Sequence, residues 1–186
     1  MRGQIIIRGM GCLCKQGYDI QSLQKYLEGT IKDELSDEEI NSLVSKSIGK
    51  GNEQIAQYMS YATSSAFLDA RVEEDEIDEY NIGIAVGTSQ GGMKSLKDAA
   101  DKIFSLGSKG IRPMSAMNCI MCGAGAKVAI EKRIKGFNLT NVNGITASLD
   151  ALVYAIDMLK SKDMEYAIVC GAEEYNRAAA GAVLIQ

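Results

Sequence analysis

The chain has 186 residues, 46% of them apolar and 24% charged, with a net charge of −4 and no histidine. That balance is ordinary for a globular chain, but without histidine neither a Ser-His-Asp nor a Cys-His centre can be built from it, and zinc sites that draw on histidine are excluded. There is no basic stripe of the kind that binds nucleic acid, and no apolar run approaches the ~18 residues of a membrane span.

Met1-Arg2-Gly3-Gln4 carries no export-signal pattern. The five cysteines therefore read as reduced thiols, and the chain as cytoplasmic. Gln4 to Arg8 is a short apolar run that reads as a buried strand, with Gly9-Met10-Gly11 as the turn after it. Asp19 to Leu27 reads as a short helix. Ser36 and Glu39 have capping-box spacing, which starts a surface helix over about Asp37 to Ser47 whose acids form a solvated face. Asn52 to Ala70 carries Ile55, Tyr58, Met59, Ala62, Ala66 and Phe67 at helical spacing, and Arg71 to Tyr80 is an acidic loop.

Asn81 to Gly87 is the second buried strand. Thr88 to Gly92 turns it into a helix over about Met93 to Leu106. Pro113 and Asn118 bracket a loop, and a helix runs from about Cys119 to Arg133. Leu139 to Asn143, Tyr166 to Cys170 and Ala182 to Ile185 read as further strands, with a strongly apolar helix over Ile145 to Leu159 between the first two. Alternation of strand and helix predicts an α/β domain with a mostly parallel sheet. No repeat or linker interrupts it, so residues 1–186 read as one domain.

Cys119 and Cys122 form a C-x-x-C, and Cys12 and Cys14 a C-x-C. Such pairs suit a redox dithiol or a four-thiolate zinc site. The composition of Cys119 to Ala126 points instead to tight helix packing, with these thiols and Cys170 in the core. No metal or cofactor is predicted. Gly9-Met10-Gly11 lacks the third glycine of a dinucleotide fingerprint.

Four stretches taken in order carry a resemblance: IIIRGMG at the N-terminus, IGIAVGTSQGG over Ile82 to Gly92, the segment from Pro113 to Leu139 that ends in KGFNL, and YAIVCGAEE over Tyr166 to Glu174. Together they resemble the β-ketoacyl-acyl-carrier-protein synthases, condensing enzymes of the thiolase fold. The resemblance implies one half of an αβαβα pseudo-duplicated fold. It covers only the first half of such an enzyme, and the second half would carry the family's catalytic histidines.

In the family, the strand after the motif that KGFNL resembles leads into a turn with a catalytic cysteine at a helix N-terminus. There the dipole and free N–H groups lower a thiol's pKa. Counted from Gly136, that position is Ile145, whose hydrocarbon side chain cannot carry an acyl group. Thr146 and Ser148 lie near it with no histidine to activate them.

The resemblance thus implies a non-catalytic synthase-like subunit in fatty-acid or polyketide biosynthesis, comparable to a chain-length factor. Its partner would be a full-length ketosynthase or a complementary half-subunit, with acyl carrier protein as a further partner. Partner-facing or acyl-tunnel candidates are Met114, Met117, Met121, Cys119, Cys122, Leu139, Asn141, Val142 and Asn143. Two readings compete: a split active synthase whose other chain supplies the catalytic residues, and a thiol redox or metal module at Cys119 and Cys122. A stand-alone acyl or carrier-protein scaffold is a third.

The helix from Ile145 to Ser161 has a physical argument of its own. Thr146, Asp150, Asp157, Lys160 and Ser161 form one narrow polar stripe, and apolar residues cover the rest. Three large side chains left exposed there would forgo about 5–8 kcal/mol of burial. Another polypeptide, or a second copy of the chain, should therefore cover it; the alternative is that local helices fold over it.

Overall fold

The computed structural model describes residues 4–44, 53–73, 76–111, 113–174 and 178–186, without the side chain of Met114. Among these residues five strands form one sheet in the order β1-β5-β4-β2-β3, with β1 Ile7–Leu13, β2 Ile82–Gly87, β3 Asn138–Asn141, β4 Tyr166–Glu173 and β5 Ala179–Ile185. β2 pairs parallel with β3 and β4, whereas β5 is antiparallel to both β4 and β1. Four of the five strands therefore run one way, as the alternation predicts. The antiparallel insertion of β5 was not visible in the sequence.

Among the described residues seven α-helices accompany the sheet: α1 Ile20–Leu27, α2 Asp37–Val44, α3 Gln54–Ala70, α4 Met93–Leu106, α5 Pro113–Cys119, α6 Gly123–Glu131 and α7 Ala147–Ser161. Ser36 starts α2 as its spacing predicts: its N–H donates to Glu39 Oε2 at 2.8 Å, and its hydroxyl accepts from Glu39 N–H at 3.3 Å. The part of that helix expected beyond Val44 lies outside the described residues.

α3 and α6 lie on one face of the sheet over a deep core that includes Leu13, Met59, Ile84, Val128, Ile168 and Leu184. α7 lies on the other face. It turns Ala147, Ala151, Ala155 and Leu159 inward, at intervals of four, against Ala85, Ala167, Val169 and Ile185. That spacing keeps one narrow stripe on the sheet.

Three expectations are corrected. Gly9-Met10-Gly11 is not a turn but the middle of β1. A Cβ on Gly9 would come within 2.2 Å of Ala66 O, and one on Gly11 within 2.1 Å of Ala62 O. The glycines are there because α3 rests directly on the strand. The segment bracketed by Pro113 and Asn118 is helical, because proline needs no N–H partner at the first position of a helix, where it stands in α5.

Finally, no single helix runs from Cys119 to Arg133. α5 ends at Cys119 and α6 starts at Gly123, joined by a tight turn in which Gly123 N–H donates to Ile120 C=O at 2.9 Å. The break brings Cys122 to the surface and leaves Cys119 half-buried, so these two are not core thiols. Cys170 is in the core, as expected.

Candidate functional site

The C-terminal ends of β2, β3 and β4 lie side by side, as their parallel register requires. In open α/β sheets this is the end where ligands are bound. From β2 the chain enters Thr88 to Gly92, which is organised by one carboxylate. Glu173 Oε1, at the end of β4, accepts from Thr88 Oγ1 at 2.9 Å, from Ser89 Oγ at 2.8 Å, from Gln90 N–H at 3.3 Å and from Ser89 N–H. Gly91 takes a positive φ of 49°, and a Cβ there would meet Met121 Sδ at 2.7 Å.

From β3 the chain turns through Val142 to Thr146 into α7. Thr88 N–H donates to Asn141 C=O at 3.0 Å, which ties the two turns together. Gly144 has φ 82°, and a 3₁₀ turn over Gly144–Thr146 precedes α7. Asp150, in the first turn of α7, accepts from Thr146 Oγ1 at 3.1 Å and from Asn143 Nδ2. A carboxylate there also suits the helix dipole. α7 is pressed close to the sheet: a Cβ on Gly87 would lie 2.3 Å from Ser148 N, and one on Gly171 2.5 Å from Ser148 Oγ.

At the apex of this turn stands Ile145, with relative exposure of 101%. A fully exposed isoleucine in so well-tied a turn buries nothing within the chain. The start of α7 has no side-chain cap, which leaves the kind of N–H array that holds a developing anion. The side chain at the apex, Ile145, is a hydrocarbon and offers such an array no nucleophilic atom. Thr146 spends its hydroxyl on Asp150. Burial pushes the Cys170 thiol up to about 12, and burial first, then Cys14 and Asp19, pushes Cys12 up to about 11. Neither is a thiolate at neutral pH. Among the described residues no group of three or more cysteines and carboxylates is placed to hold a metal ion, so the four paired cysteines do not converge on one site.

The sequence candidates distribute as follows. Leu139 and Asn141 lie in β3, which among the described residues pairs only with β2 and so has one edge open there. Val142 and Asn143 are exposed in the turn beyond it. Met117 is exposed on α5, and Met121 packs beside Gly91 in the turn between α5 and α6. Met114 belongs to α5, but its side chain lies outside the described residues.

Sequence reasoning missed a buried polar cluster. Lys127 Nζ donates to Asn118 Oδ1 at 2.6 Å and pairs with Glu53, with both charged side chains less than a tenth exposed. Nearby, Glu174 Oε2 accepts from Ile55 N–H at 3.0 Å, near the start of α3. One signal was available: Lys127 is the only charge in an otherwise small and apolar GAGAKVAI run, where an isolated cation needs a buried partner.

Comparison with known proteins gives a consistent result. The family model for the β-ketoacyl synthase N-terminal domain matches residues 50–184. The 3-oxoacyl-[acyl-carrier-protein] synthase 2 of Coxiella burnetii is 27% identical over 69% of this chain and 31% of its own length. The enzyme of the same name from Staphylococcus aureus strain COL is 22% identical over 91% of this chain and 45% of its own. The chain thus spans less than half the length of these relatives.

Among solved structures, a type II PKS acyl-carrier protein in complex with its ketosynthase bound to the hexaketide (AntDE:AntF) matches with a TM-score of 0.86 and 16% identity, over 100% of this chain and 63% of that one. The ishigamide ketosynthase/chain length factor matches with a TM-score of 0.79 and 17% identity, over 99% of this chain and 62% of that one. The fold is that of one half of a thiolase-like ketosynthase. Among the described residues no helix is long and apolar enough to cross a membrane.

Proposed function

We propose, since this chain belongs to the β-ketoacyl synthase family through its N-terminal domain, that it is a non-catalytic synthase-like subunit in fatty-acid or polyketide biosynthesis. It acts by pairing with a condensing enzyme, in the manner of a chain-length factor. The observation that carries this reading is Ile145. The turn at the start of α7 keeps its ties to β2 and Asp150, yet its apex presents an exposed hydrocarbon where the family resemblance puts a thiol. A turn preserved without its nucleophile supports a role for the surface rather than for the reaction.

Two further features support pairing. β3 has an open edge, and an unpaired strand edge is a ready template for another strand. Beside it Val142, Ile145, Leu149 and Val153 are all exposed. A continuous apolar strip of this kind marks a protein contact. The partner is a ketosynthase or a complementary half-subunit in the cytoplasm, the pair forms a heterodimer, and acyl carrier protein delivers to it. Residues 1–186 act as one domain in that assembly.

Co-expression with a condensing enzyme encoded beside it tests this reading. The two should co-elute on size exclusion, and omission of this chain should change the length of the acyl product. Separate elution together with an unchanged product would overturn it.

A further inference from the structure

A cleft of about 640 Å³ lies where three helices begin: Asp37, Gln54 and Met93, the first residues of α2, α3 and α4, all line it. Helix starts present free N–H groups and partial positive charge. Lys15, Lys94 and Lys97 add three cations to a lining that also holds the carboxyl groups of Asp37, Asp98 and Glu174. Lys15 is committed to Asp37 at 3.1 Å, and among the described residues Lys94 donates only to the neutral amide oxygen of Gln54, at 3.2 Å. Lys97 makes no ion pair among the described residues.

A second observation is independent of the helix starts. Glu174 lines the same cleft and is only 6% exposed. Its Oε2 is used by Ile55 N–H, while its Oε1 is buried with no partner among the described residues. A buried polar atom without a partner is costly and calls for one.

We propose that this cleft binds a small oxyanion, a carboxylate or phosphate group, held by Lys94, Lys97 and the uncapped N–H groups of α4, with Glu174 as a carboxylic acid donating its Oε1 proton to the bound anion. The volume suits a small molecule, and Tyr58 and Met93 give it an apolar wall. The surroundings favour the acid form. Burial raises the pKa of Glu174 most; Ile55 N–H and Lys94 oppose this, and Glu53 and Asp98 add to it. The remaining charged groups around the cleft, Lys97, Lys15 and Asp37, belong to α4, to the segment after β1 and to α2. Where Glu174 starts ionised, one proton is taken up from solvent with each anion, so affinity falls as pH rises through its pKa.

Titration with sulfate, whose charge is constant over the working pH range, tests this through the backbone amide signals of Ile55 and Lys94. Saturable shifts are expected, weakened about tenfold by Lys97→Ala and weakened as pH rises. Glu174→Gln, which keeps a donor and an acceptor but does not titrate, should bind without pH dependence. Succinate or glycerol phosphate should displace sulfate, and whichever competes better identifies the source of the oxyanion. The proposal fails if binding does not saturate, if Lys97→Ala leaves it unchanged, if neither compound displaces sulfate, or if Glu174→Gln retains the pH slope.

Discussion

The two faces of the sheet are covered by different means. Under α3 and α6 the core is deep, with Leu13, Met59, Ile84, Val128, Ile168 and Leu184 fully buried. Under α7 the contact is thin and made largely of alanines, and the large side chains of the helix point away: Leu149 is 64% exposed and Val153 57%. The first face is completed by the chain itself. The second is built for close approach and leaves its apolar capacity unused. Among the described residues no other helix packs over α7, which is in keeping with the pairing proposed above. Fully burying a leucine or valine is worth about 1.5–3 kcal/mol each, so this face holds several kcal/mol in reserve.

The largest effect should come from forcing the deep face apart. Gly11→Val puts a branched side chain where even a Cβ meets Ala62 O at 2.1 Å. A loss of about 4 kcal/mol or more, read by urea denaturation, is expected. Next comes Lys127→Met, which leaves Glu53 buried without its cation and should cost about 3–5 kcal/mol in the same assay. Leu149→Ala sharpens the contrast: stability of the isolated chain should change by less than about 0.5 kcal/mol, while binding to a condensing-enzyme partner should weaken at least about tenfold. A large loss of intrinsic stability would show instead that α7 is already covered.

Ile145→Cys probes the thin face chemically. A thiol at the start of α7 should have a pKa below the free value of about 8.5, seen as alkylation at neutral pH faster than that of Cys122. The smallest effect is electrostatic. Glu174 has a raised pKa in the folded chain, so the folded state holds more protons than the unfolded one. Stability from this group is present below the unfolded pKa and is lost as pH rises through the folded one. Glu174→Gln should therefore flatten that part of the stability–pH curve, as measured by thermal melts.

Much of this architecture could be read from the sequence, because buried strands and amphipathic helices announce themselves over short windows. α4, β2 and α7 fell within two residues of their expected limits. The errors share a cause. Gly9 and Gly11 look the same locally whether they make a turn or admit a helix; only α3, more than fifty residues away, decides. The antiparallel direction of β5 and the pairing of Glu53 with Lys127 likewise depend on partners distant in sequence. At the candidate site, Ile145 could be located by spacing from Gly136. The role of Glu173 could not, since its four donors lie in a turn it reaches only after the sheet has formed.

The position of β1 has a consequence for how the chain is made. Among the described residues its one strand partner is β5, with Gly11 opposite Ala182, so β1 cannot be hydrogen-bonded into the sheet until the roughly 170 residues that follow it have been synthesised. Until then it rests chiefly on α3, through the bare backbone of Gly9 and Gly11. Such distant pairing slows folding and prolongs the exposure of an unpaired edge. A nascent chain of this kind would gain from a chaperone, or from a partner already waiting, during the interval before β5 arrives.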